Sequence, residues 1–369
     1  MRTEGTTSRM RREVHDTALA TEPSKSAVRG PGQRPTTTRT VLRGSGLLLL
    51  CTLLFLLVLL SIWVGTKGTS AAQVWHALWR DDGSYTTDVV RQLRLPRTLV
   101  GLLVGAALGV AGALMQTLTR NPLADPGLLG VNAGASAAVV FAIGVFGLGD
   151  FIGLVWFSFL GAAAAAVAVY ALGASGRAGP TPMRLTLAGA AVSAGLGGII
   201  AGLTVFDAAT YDYLRFWMVG SLAGRKPELV LDLAPFVLAG LLGALLLARS
   251  LNSIALGDEL GKGLGVHINR TRGLTVAVVT VLCGTATAAA GPIGFVSLVV
   301  PLVSRWLAGP DLRWNLPYCM VLAPVLVLGA DTVGRVVLPE GELEVGAVTA
   351  LVGAPVFIAM VRRRRGSAL

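Results

Sequence analysis

Uncharged stretches alternate with short charged segments along this chain, and the length of each uncharged stretch predicts what it forms. At about 1.5 Å of rise per residue, a helix of roughly 20 apolar residues crosses a ~30 Å hydrocarbon layer. Nine stretches free of Asp, Glu, Lys and Arg are of that order: Gly46 to Thr66, Thr98 to Thr119, Pro126 to Gly149, Phe151 to Gly176, Leu185 to Phe206, Leu233 to Ala248, Gly273 to Ser304, Trp314 to Ala330 and Val345 to Val361. The run from Gly273 is too long for one crossing and is interrupted by Gly291-Pro292-Ile293-Gly294. Proline removes a helical donor there and glycine frees the backbone, so the run splits in two. The pattern predicts an all-α membrane protein of ten transmembrane helices.

Within the second stretch, Gly101, Gly105 and Gly109 recur at four-residue spacing. Such a stripe bares one helix face and lets a neighbouring helix approach closely, the main source of helix association in lipid. Helix packing is the expected role of these three glycines.

Composition agrees with the pattern. The 369 residues are 53% hydrophobic and only 14% charged, with a mean hydropathy of +0.69. An even number of spans puts both termini on one side, and both are basic: nine Lys/Arg against four acids precede Gly46, and Arg362 to Arg365 follow the last span. The positive-inside rule assigns both termini to the cytoplasm. Residues 1–45, rich in Thr, Ser, Pro, Gly and Arg, read as a disordered basic tail suited to anionic lipid, ahead of a ten-span domain over 46–365. The first apolar run ends in Ser61-Ile62-Trp63 without a small-residue cleavage pattern, so it is expected to persist as a span. No nucleic-acid partner is implied.

On that topology two outward segments, Lys67 to Leu93 and Asp207 to Pro227, carry Trp75, Trp79, Tyr85, Tyr211, Tyr213 and Trp217, residues suited to an interfacial aromatic belt. Arg91, Arg94, Arg97 and Arg335 lie on the side where the inside rule disfavours cations; they can attract an anionic solute or an acidic partner, or snorkel to lipid phosphate. Asp331 is the one acid expected within the apolar zone, four residues before Arg335, which predicts a helical ion pair. A proton relay would need a second buried acid or His, and His15, His76 and His267 all fall in tails or loops. Cys51, Cys283 and Cys319 are widely spaced apolar-segment residues, which suggests neither metal site nor disulfide.

The inward segment Leu251 to Arg272, LNSIALGDELGKGLGVHINRTR, interleaves leucines with charges and glycines and reads as two short helices suited to docking in a groove of another protein. Gly257 and Gly261-Lys262 do not make a phosphate loop: three residues separate the glycines and Gly263 follows the lysine. Any ATP is therefore expected on another chain.

Five segments carry a family resemblance: RLPR at Arg94 to Arg97, NPLADPGLLG at Asn121 to Gly130, LGDELGKGLG at Leu256 to Gly265, GPIGFVSLVVP at Gly291 to Pro301 and VTALVGAPVF at Val348 to Phe357. From about Ile62 to Val361 the chain resembles permease subunits of the FecCD family, the iron-chelate and vitamin B12 type of ABC importer. The resemblance implies a type II importer permease that is not an enzyme and binds no cofactor, ATP and magnesium residing on the partner. It implies a second permease subunit, two ATPase subunits, an extracytoplasmic binding protein, and residence in a prokaryotic cell membrane. It also implies that Arg94, Arg97 and Arg335 pair with glutamates of the binding protein. Leu256, Gly257, Asp258, Glu259, Leu260 and Gly265 would form the ATPase coupling loop, and the spans at Leu185 to Phe206 and Val345 to Val361 would line the pathway. An iron(III)-siderophore is the expected cargo, with cobalamin or haem as alternatives; an ion-coupled secondary transporter is the alternative of another class. Ser297, Leu302, Leu312 and Glu344 depart from the family's Gly, His, His and Pro.

Overall fold

The computed structural model describes residues 36–65, 70–149, 151–175, 182–206, 218–338 and 341–366. The basic tail up to residue 35, and Tyr211, Tyr213 and Trp217 of the second outward segment, lie outside them. Contacts separate Met1–Leu42, of which only the first turns of α1 are described, from Arg43–Leu369, which holds everything else.

The described residues are helical throughout their regular structure: α1 (Thr36–Trp63), α2 (Ala71–Trp79), α3 (Tyr85–Leu118), α4 (Val131–Phe146), α5 (Phe151–Ala174), α6 (Pro182–Phe206), α7 (Pro227–Ala255), α8 (Asp258–Gly263), α9 (Ile268–Ala290), α10 (Val296–Ala308), α11 (Leu312–Val337) and α12 (Val345–Gly366). Seven of them are long and apolar enough to cross a membrane: α1, α3, α5, α6, α7, α9 and α11. Three more, α4, α10 and the Val345–Met360 part of α12, are apolar but shorter. At about 1.5 Å per residue the 13 residues of α10 reach only ~20 Å, two-thirds of a hydrocarbon layer.

The shortening has local causes. The expected break at Gly291-Pro292-Ile293-Gly294 is present; Gly291 adopts φ 73°, and even Phe295 is forced to φ 65° before α10 begins. The stretch expected to run from Pro126 instead opens as a 3-10 turn, Pro126–Leu129, and Gly130 at φ 67° redirects the chain into α4.

α3 is the centre of the bundle. In its most apolar window 83% of residues are buried, against 11% in α1 and in α6. It packs against α7, α9, α10 and α11. The glycine stripe makes this possible: a Cβ on Gly105 would sit 2.7 Å from the Pro324 Cα, and one on Gly109 would meet Ala323 and the Cys319 carbonyl, so the three-glycine face lies directly on α11. Cys283 and Cys319 are buried packing residues.

The segment Lys67 to Leu93 is not a simple loop. It contains α2, begun by a reciprocal capping box of Ser70 and Gln73, and the first turns of α3, begun by Ser84. His76 accordingly sits in a helix, and His267 is the residue that starts α9. Val89–Arg94 is a π turn within α3, just ahead of Pro96, whose missing N–H cannot continue the regular ladder.

Candidate functional site

Two charge clusters stand at opposite ends of α3. Each is an aspartate held between two arginines.

The first joins α1, α3, α11 and the segment before α12. Asp331 accepts from Arg97 Nε at 3.0 Å and Nη2 at 2.8 Å, and from Arg335 Nη2 at 2.7 Å, so the helical pair with Arg335 is present and gains a partner 234 residues away. Arg97 Nη1 also donates to Glu342 Oε2 at 2.7 Å. Arg335 Nη1 donates to the Ser61 and Val64 carbonyls at 2.8 and 2.9 Å, and Nη2 to Ser61 Oγ at 2.7 Å. Arg94 Nη1 donates to the Trp63 carbonyl at 2.7 Å and the Ile62 carbonyl at 3.2 Å. Two guanidinium groups from different helices thus satisfy the last carbonyls of α1, where the helix dipole favours positive charge. Gly65 leaves the space that the Arg94 guanidinium fills.

Arg94 and Arg335 are consequently buried and committed inward, whereas the Arg97 side chain keeps 12% of its surface. The three arginines expected to meet a binding protein do converge. Their main contacts, however, are within this chain, because an apolar surrounding makes an unpaired cation too costly to leave waiting. Arg91 instead closes the end of α2, its Nε donating to the Ala77 carbonyl at 2.8 Å and its Nη1 to Asp81 at 3.1 Å. In the same turn Asp82 accepts from Thr87 Oγ1 at 2.6 Å and from the Ser84 amide at 3.0 Å. The Thr87 hydroxyl, then Ser84, hold its carboxyl well below the usual carboxylate range.

The second cluster sits where α3 ends and α7 turns into α8. Arg120, at φ 51°, donates from Nη2 to the Ile254 carbonyl at 2.6 Å and pairs with Asp258. Arg272, from α9, donates to Asp258 Oδ2 at 3.0 Å. Asn252 ties the same corner to α11 by donating to Asp311 at 2.6 Å and accepting from the Leu312 amide at 3.0 Å. Gly257, at φ 128°, and Gly265, at φ 79°, bracket the single short helix α8 in conformations that a side chain would strain. The Leu251 to Arg272 segment therefore contains one free-standing short helix rather than two; α7 and α9 absorb its ends.

On α8 and its flanks Leu256, Leu260 and Leu264 are 67%, 62% and 64% exposed. Glu259 beside them meets Lys262 at 3.2 Å. Three large apolar side chains held in water on a clamped helix form a ready contact surface. Leu302 and Leu312, where the family resemblance leads one to expect histidine, are buried in the core with no polar atom to satisfy. Ser297 donates to Asp125 and joins the start of α10 to the turn before α4, while its carbonyl fills the space beside Gly112.

Among the described residues no group of three His, Cys, Asp or Glu side chains could hold a metal ion. Sequence reading missed the Arg97–Asp331, Arg97–Glu342, Arg120–Asp258 and Arg272–Asp258 pairs. Only the last has a short sequence separation that could have suggested it.

The ferric enterobactin transport system permease protein FepD of Escherichia coli K12 is 48% identical over 325 residues, 88% of this chain and 96% of that protein. The iron(3+)-hydroxamate import system permease protein FhuB of Bacillus subtilis 168 is 40% identical, covering 87% of this chain and 83% of its own length. A metal-chelate type ABC transporter solved in an inward-facing conformation superposes with a TM-score of 0.77 at 28% identity, over 87% of this chain and 99% of that one. The fold is the all-α, multi-spanning permease fold of ABC importers, in a multi-pass membrane protein of prokaryotic type. Residues 53–363 match the model of the FecCD transport family, and this chain belongs to that family.

Proposed function

We propose that this chain is the non-catalytic permease subunit of an importer for iron(III)-siderophore complexes, working in a permease dimer with two ATPase subunits inside and a substrate-binding protein outside. The observation that carries the coupling is the α8 platform: three exposed leucines on a short helix fixed to α3 and α9 through Arg120, Asp258 and Arg272. A push on α8 reaches the most buried helix of the bundle through an ion-paired corner, the direct connection that a mechanical signal from ATP hydrolysis needs.

In this reading α4, α10 and α12 join the seven longer helices as ten spans, and both termini face the cytoplasm. α6 supports a pathway at the dimer interface, since Gly195, Gly197, Gly198 and Gly202 face open space. Arg97 is the rim cation through which a binding-protein carboxylate is met, and Arg94 and Arg335 shape that rim from beneath by holding α1. Cargo follows from the two relatives, one for ferric enterobactin and one for iron(3+)-hydroxamate.

The test is uptake of ⁵⁵Fe-loaded siderophores into cells in which Leu256, Leu260 and Leu264 are all serine. Loss of uptake together with loss of ATPase co-purification is expected. Full uptake with normal co-purification would reject the coupling assignment. Uptake that persists in ATP-depleted cells but stops with an ionophore would reject ATP coupling in favour of an ion gradient, and competition by cobalamin would reject the siderophore.

A further inference from the structure

A notch opens between α1 and α2 on the flank of the molecule. Its inner part, about 290 Å³, is lined by Leu56, Leu59, Leu60, Trp63, Val74 and Leu78, among other apolar residues. A second, more open space of about 500 Å³ is walled by Trp75, His76, Trp79 and Arg80. Trp75 lines both, so the two spaces adjoin.

The walls are firm. α2 is capped at its start by Ser70 and Gln73 and at its end by Arg91, and its Val74 and Ala77 pack on Ile62 and Val90. α2 also exposes Trp75 and Trp79, whose rings lie 5.8 Å apart. Tryptophan pairs of this kind sit at headgroup depth, ring body in the acyl region and N–H toward water.

Charge distinguishes the mouth from the interior. Among the described residues Arg80 makes no ion pair, although two carboxylates follow it in sequence: Asp81 is taken by Arg91, and Asp82 by Thr87 and Ser84. His76 lies 3.9 Å from Asp82. An anion arriving at the mouth thus finds Arg80 available, and guanidinium is suited to forked hydrogen bonds with phosphate. In the apolar window of α1 only 11% of residues are buried within the chain, so most of this helix is left to meet acyl chains.

We propose that the α1–α2 notch is a binding site for one anionic membrane phospholipid, with an acyl chain lying between Leu59 and Val74 and the headgroup phosphate at Arg80. Occupation fills apolar space that neither water nor a side chain fills well. The lipid fastens α2 to α1 beside the Arg94 and Arg335 contacts. The site depends on the chain being embedded in a membrane, not on which cargo it carries, so it stands or falls separately from the importer assignment.

The test uses the full-length protein, delipidated in detergent and titrated with phosphatidylglycerol or phosphatidylcholine, with retained lipid counted by native mass spectrometry. Wild type should retain a phosphatidylglycerol in preference to phosphatidylcholine. Leu59→Trp, which fills the inner notch, should lower retention of both roughly tenfold. Arg80→Gln, at an exposed position that does not threaten folding, should erase the preference, a change of about fivefold. Leu246→Trp, on the exposed side of α7, serves as control and should retain lipid as wild type does. Equal retention by wild type and Leu59→Trp, or an equal loss in Leu246→Trp, overturns the site and leaves the tryptophan pair as a protein-contact surface. A phosphatidylglycerol preference that survives Arg80→Gln overturns the placement of the headgroup.

Discussion

Asp331 and Asp258 are the same device in two solvents. Each carboxylate bridges two arginines, one of them remote in sequence, and each cluster ties α3 to a second long helix. Asp331 is 1% exposed, with Arg335 equally deep and Arg97 at 12%, whereas Asp258 is 37% exposed with Arg120 still more open. Burial removes the water that would otherwise solvate a broken pair, so the first cluster is close to obligatory and the second can yield. A buried ion cluster suits the end of the molecule that must hold α1 in place. A hydrated one suits the joint that the proposed coupling requires.

The sharpest way to break this contrast is to remove each aspartate. Asp331→Ala leaves the buried Arg335 cation without its carboxylate and Arg97 with Glu342 alone, and about 3–5 kcal/mol of stability should be lost, seen as a large fall in the thermal midpoint of the purified protein. An effect no larger than that of Asp258→Ala would dissolve the distinction.

Next in size is Gly105→Ala. The added Cβ would press on the Pro324 backbone of α11 and part the two helices that carry Arg97 and Asp331. Overpacking of this kind costs about 1–3 kcal/mol, and thermal unfolding should show it, with little change if the methyl is placed on the open Gly195 instead.

Asp258→Ala should cost at most about 1 kcal/mol, because exposed pairs are screened. The residual effect should shrink between low and high salt. Its main readout is functional: ATPase co-purification and iron uptake fall while the thermal midpoint barely moves. A large stability loss would show that the Asp258 cluster is as obligatory as the Asp331 cluster.

The smallest effect concerns acid. Asp82 has a folded pKa depressed by its Thr87 and Ser84 hydrogen bonds, so its contribution is present above the usual carboxylate range, where the unfolded group is also ionised, and is lost as pH falls through the depressed value. Protection of the amides at the start of α3 should weaken only below about pH 4. Asp82→Asn should remove that dependence, measured by hydrogen exchange corrected for intrinsic rates.

Much of the fold is legible in the chain because lipid imposes a one-dimensional rule: an uncharged run of sufficient length has to become a helix with its backbone satisfied internally. The break at Gly291 to Gly294, the glycine face of α3 and the Asp331–Arg335 pair are all local patterns, readable from spacing. α2 and the early start of α3 escape that rule. α2 is uncharged but only nine residues long, and the first turns of α3 carry Asp88, Arg91 and Arg94, so a search for long uncharged runs takes both for a loop. The lengths of α4 and α10 escape it too, since the positive φ at Gly130 and Phe295 is set by close neighbours and not by hydropathy.

Sequence alone thus determined that the chain is a bundle of apolar helices, where its rim charges fall and which face of α3 is bare. Tertiary structure alone decided what the charges do. Whether an arginine waits for another protein or closes a neighbouring helix depends on the acceptors within about 3 Å of it. Those acceptors, the Asp331 carboxylate for Arg97 and the last carbonyls of α1 for Arg94 and Arg335, are brought there by packing of helices far apart in the chain.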